Sequence, residues 1–194
     1  MKYKVNDKGT GFNLLAEIAA VGIASGAVWS AMGKFTASPW IHQYFRADNI
    51  NSISQLFTHT ALSALIFLTA VFISGTSAVG QPAALGLLFC RGFGAGSSAA
   101  AIYSEYGLKA FPAVALTMLP LTFCMLITAV IAVRESLRSS CGLSHCMAAG
   151  DSYDSHAGSL KLYIVRFIVL AFISIAVSAA HAVLIRLSGS VIHF

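Results

Sequence analysis

Apolar residues fall into five long blocks along the chain, with polar residues collected between them: Phe12–Gly33, Phe57–Val79, Ala83–Tyr103, Phe111–Val133 and Leu162–Ile185. Each reaches the roughly 20 residues that a helix needs to cross the hydrocarbon core of a bilayer. The pattern predicts an all-α integral membrane bundle, one domain over 1–194 with about five transmembrane helices. Lys2, Lys4 and Lys8 precede the first block as they would in a signal peptide. Its apolar run is longer than the roughly 7–15 residues of a signal peptide, so it is read as an uncleaved first span. Between the second and third blocks stands only "GQPA", where Gly80 suits a tight turn and Pro82 a helix start. One helix through Phe57–Tyr103 would exceed any bilayer, so a hairpin is expected. The Gly and Ser content of the third block makes it the weakest span, and a partly re-entrant path is its alternative.

The intervening segments follow from this frame. Residues 34–55 contain "SPWIHQYF" (Ser38–Phe45), an aromatic–polar mixture suited to a membrane interface. Residues 104–110 form a short turn. Residues 134–161, rich in Ser, Gly, Asp and His, read as a flexible cytoplasmic loop.

Composition agrees with a bilayer as the main solvent. The chain is 57% hydrophobic and 10% charged, with a mean hydropathy of +0.79, against about 25% charged residues in a soluble domain. Most soluble-enzyme classes are excluded on that ground. The net charge of +5 shows no basic run or basic–aromatic interleaving, so nucleic acid is not an expected partner. Counting Lys and Arg with the N-terminus inside puts Lys2, Lys4, Lys8, Arg134, Arg138, Lys161 and Arg166 in the cytoplasm. Lys34, Arg46, Lys109 and Arg186 are then outside. Seven against four gives an N-in cell-membrane topology.

Catalytic chemistry has little to stand on. No Ser–His–Asp set, phosphate-cradling loop or H-E-x-x-H motif is present, and no cofactor or metal is expected. Cys141, His145, Cys146 and His156 match no zinc-finger spacing and read as solvated residues. His59 and His181, alone in their spans, read as hydrogen-bonded helix contacts. Four cysteines in a chain of this length predict no structural disulfide.

Two features inside the apolar blocks ask for explanation. Gly22 and Gly26 are four apart, as are Gly92 and Gly96. Such spacing makes a flat face on which helix backbones approach closely, either within the protomer or in a homo-oligomer. Arg91 lies about 12 Å into its span at 1.5 Å per residue, where a guanidinium costs roughly 2.5–3.5 kcal/mol on insertion scales. Three fates are open to it: pairing with the intramembrane Glu17, snorkelling to the headgroups or a lipid phosphate, or lining a transport path.

The stretch "VGQPAALGLLFCRGFGAG", followed by "YGLKA" and "MLP", resembles the core of the stage II sporulation protein M family. The positions that carry the resemblance are Gly80, Pro82, Arg91, Gly92, Gly96, Gly107, Lys109, Ala110, Leu119 and Pro120, with Phe57, His59 and Gly75 upstream. It covers about Gln55–Leu137. Leu121 and Thr122 stand where the family commonly has Gln-Asn, and Ala110 replaces the second glycine of the turn. The resemblance implies a non-enzymatic multi-pass scaffold. Such a protein anchors peptidoglycan-degrading partners during engulfment, in the mother-cell septal membrane of a sporulating cell. Its partners would be the lipid bilayer and membrane- or wall-associated proteins. The competing reading is a small transporter or channel component, with Arg91, Glu17 and His181 along a hydrated path.

Overall fold

The computed structural model describes residues 10–33, 53–77, 80–107, 119–149 and 154–189. They form five helices: α1 (Thr10–Ala31), α2 (Ile53–Gly75), α3 (Gln81–Tyr106), α4 (Leu119–Ala149) and α5 (Asp154–Gly189). Among the described residues there is no strand. Four of the helices are long and apolar enough to cross a membrane, over Phe12–Ala31, Phe57–Gly75, Leu119–Leu143 and Leu160–Leu184. The chain is therefore a membrane-embedded helical bundle. The remaining helix, α3, has 26 residues, about 39 Å at 1.5 Å per residue, so length does not set it apart. Its Gly, Ser and Arg91 lower its hydropathy, and it is held among the others by packing.

Helix boundaries follow local chemistry. Pro82 sits in the first turn of α3 behind the N-cap Gly80, where its missing N–H has no helical partner to lose. Gly107 ends the helix at φ 61°, its N–H donating to the Tyr103 carbonyl. With ψ at −156° this is a backbone region that essentially only glycine enters.

Residues 134–161 depart from the sequence expectation. The described part of this segment is helical and not a loop: α4 continues as helix to Ala149, and α5 covers Asp154 onward. Low hydropathy in "RESLRSSCGLSHCMAA" signalled departure from the bilayer, but not departure from the helix. The stretch holds no proline and one glycine, and Ser136 and Ser140 on its inner face are fully packed.

The helices alternate in direction. Ala19 lies against Gly92 and Ile23 against Gly96, so α1 and α3 run parallel. Gly75 against Ser136, and Ser77 bonded to Ser140, make α2 and α4 parallel as well. Buried Leu15, Leu68, Val71, Leu88, Val133 and Phe167 form the shared core.

The end of α2 shows how the bundle meets the demands of a low-dielectric solvent. The last carbonyls of a helix have no helical donor, and lipid supplies none. The Tyr163 hydroxyl of α5 donates to the Phe72 carbonyl at 3.0 Å, and Ser140 Oγ of α4 donates to the Ser77 carbonyl at 2.7 Å. Around them Phe72, Tyr163 and Phe167 stack with ring centroids 4.7–5.3 Å apart. Removing the donor from this set leaves a buried carbonyl unmet, at about 1–3 kcal/mol. Tyr163→Phe, which keeps the ring, is therefore expected to lower the melting temperature in detergent measurably. Ser98→Ala, which removes a hydroxyl bonded only to its own helix, serves as the near-silent comparison in the same melting assay.

Candidate functional site

Buried positions on α1 follow a stripe, Leu15, Ala19, Gly22, Gly26 and Ser30, spaced three and four apart as one face of a helix requires. On α3 the matching stripe is Ala84, Leu88, Gly92, Gly96 and Ala101. At the glycine positions the two backbones meet with no side chain between them. A Cβ added at Gly22 would stand 2.6 Å from the Phe89 carbonyl oxygen, and one at Gly92 2.5 Å from that of Ala19. At Gly26 and Gly96 the carbonyls of Phe93 and Ile23 come closer still. All four glycines thus face one another inside the protomer, and they do not form a seam between protomers. Gly94 has open space where a side chain would go, so its spacing within "GFGAG" carries no contact.

Packing this close fixes where the two intramembrane charges point. Glu17 is two residues from both Leu15 and Ala19, which at 100° per residue puts it on the far side of α1 from the seam. It is exposed there, and among the described residues it has no hydrogen-bond or ion-pair partner. Arg91, beside the seam, turns toward α2. Its Nη1 donates to Ser63 Oγ at 3.3 Å, and its guanidinium stands 5.7 Å from the Phe67 ring centroid. Arg91 and Glu17 therefore do not pair, although the register of the seam sets them only about 6 Å apart along the helix axis. The mismatch is rotational: α1 buries its small face, and Glu17 is carried outward with the opposite one.

At one end of the bundle a second polar set collects. Glu135 of α4 pairs with Arg166 of α5, and Gln81 Nε2 approaches Cys141 Sγ at 3.3 Å. On α4 the exposed stripe Phe123, Ile127 and Ile131 continues as Arg134 and Arg138. That change from apolar to basic on one face marks the membrane boundary. On α5 the corresponding change comes between exposed Lys161 and exposed Leu162. From the level of Gln81 and Cys141, Arg91 lies ten residues along α3, about 15 Å. Snorkelling to this end is not what the side chain does, since it is engaged by Ser63 and Phe67.

His181 is buried on α5 and His59 exposed on α2. Lys109, Lys34, Arg46 and the segment 38–45 lie outside the described residues. Tyr163, Ser63, the buried serines 136 and 140, and the Glu135–Arg166 pair do not stand out as motifs in the sequence. The serines at i, i+4 were a readable signal of small-residue packing. The pair was not readable, because its partners are 31 residues apart on different helices. No family model, curated protein or solved structure matches the chain.

Two outcomes test this geometry. Gly96→Leu puts a branched side chain against the Ile23 backbone and should destabilise the protein by about 1–3 kcal/mol. Gly94→Ala should leave stability unchanged or raise it by up to about 1 kcal/mol. Equal melting curves for the two variants would contradict the seam. Because Arg91 and Glu17 do not touch, the losses of folded yield in Arg91→Leu and Glu17→Leu should add in the double variant. Yield is read from size-exclusion profiles, and recovery in the double variant would show a pair after all.

Proposed function

We propose that the chain is a non-enzymatic multi-pass membrane scaffold, of the kind that the stage II sporulation protein M resemblance implies. In this reading the N-terminus is cytoplasmic, and partner proteins, peptidoglycan-degrading enzymes among them, are held at the membrane. The supporting observation is that several polar groups inside the bundle are taken up by its own helices, some across helices and some within one. Tyr163 and Ser140 bind the end of α2. The hydroxyls of Ser25, Thr128 and Ser178 bond carbonyls of their own helices. Glu17 faces outward, so Glu17, Arg91 and His181 do not line one path, which counts against transport.

The positions that carry the resemblance add support, because they occupy joints of the fold. Gly80 and Pro82 start α3, Gly92 and Gly96 lie on the seam, and Gly107 ends α3. In this reading the helical stretches of α4 beyond Arg138 and of α5 before Lys161 serve the scaffold as an arm on the cytoplasmic side.

Two measurements test the proposal together. Affinity purification from solubilised native membranes should return defined membrane or wall-lytic proteins in fixed stoichiometry. The purified chain in liposomes should pass no ions above empty vesicles. A partner-free sample with a clear flux would overturn the scaffold in favour of transport.

A further inference from the structure

The outward face of α1 is the feature that packing leaves unexplained. Ala19 opposite Gly92 sets the register of α1 on α3. Taken together with Gly22 against Phe89 and Gly26 against Phe93, this register sets Glu17 level with about Leu87, some 9 Å from the level of Gln81 at 1.5 Å per residue. A glutamate side chain is too short to return its carboxylate over that distance. Its surroundings on the face are apolar, with exposed Leu14 and Val21 beside it. Ala16, Ala20 and Ala24 are exposed on the same side, so a neighbouring helix can come close there. An ionisable group facing hydrocarbon is costly unless something meets it.

We propose that Glu17 is the docking point for a transmembrane helix of another protein that carries a lysine or arginine at matching depth. The chemistry selects this occupant. Lipid phosphates share the sign of the carboxylate and lie at the surface. Arg91 of the same chain is turned to Ser63 and Phe67. A second copy meeting this face through a two-fold axis would set Glu17 against Glu17, because such an interface repeats the same patch on both sides. A cation on a partner helix neutralises the carboxylate where water cannot, and the alanines allow the approach that the ion pair needs. The inference rests on the scaffold reading for its biological setting and gives that reading its partner surface.

The test uses the full chain in phosphatidylcholine vesicles with a dansyl-labelled, tryptophan-free Leu–Ala transmembrane peptide. Energy transfer from Trp29 and Trp40 reports association. A peptide with lysine at its midpoint is expected to half-saturate at a mole fraction about tenfold lower than the same peptide with leucine there, a gap of about 1.4 kcal/mol. Glu17→Gln should erase the gap, and Glu17→Lys should prefer a peptide with a midpoint glutamate. Size-exclusion profiles confirm that the variants fold. Equal binding of the lysine and leucine peptides, or a gap that persists in Glu17→Gln, overturns the proposal. Self-association of the wild type that Glu17→Gln abolishes, without lysine preference, overturns it in favour of a second copy. If native partners copurify equally with wild type and Glu17→Gln, this inference fails while the scaffold reading stands. If lysine preference is found but no native partner copurifies, the scaffold reading fails instead.

Discussion

Direct backbone contact between α1 and α3 is the constraint on which the rest of the bundle depends. In lipid, helices gain nothing by excluding solvent of their own polarity, so association must come from van der Waals contact and from polar groups that find partners. Gly22 and Gly26 against Gly92 and Gly96 supply the first of these at the shortest approach the backbone allows. That contact keeps α3 packed among the four helices long and apolar enough to span a membrane. It also sets the rotation of both helices, and with it the direction of every other side chain on them.

The same rotation separates the two intramembrane charges. Had α1 buried the face of Glu17, Arg91 would have had a partner inside the protomer. Instead the small face is buried, Arg91 is drawn to Ser63 and Phe67 of α2, and Glu17 looks outward. A charge met within the bundle and a charge left on its surface are different objects. The first holds a helix pair, whereas the second asks for a partner from outside.

At the basic end the bundle solves the second requirement of lipid, that no buried backbone polar group go without a partner. Tyr163 and Ser140 reach across from α5 and α4 to the end of α2. The turn into α3 is thereby held close to the Glu135–Arg166 pair. Seam and lock together tie the five described helices with few hydroxyls and small residues.

Much of this was legible without coordinates. Block length and low charge determined an all-helical membrane bundle, because a spanning segment of about 20 apolar residues has few alternatives in lipid. The glycine spacing announced close packing, and Gly80, Pro82 and Gly107 announced helix ends, because these residues act through their own backbone chemistry. The helical path of residues 134–149 was not legible from low hydropathy, since polarity reports the solvent and leaves the backbone conformation open. What only the tertiary structure decided were the relations between helices: which glycine stripe meets which, that Arg91 turns to Ser63 while Glu17 faces out, and that Tyr163 closes α2. These depend on the rotation and register of one helix on another. A single helix does not encode that geometry, because every face of it has the same 3.6-residue period until a neighbour selects one.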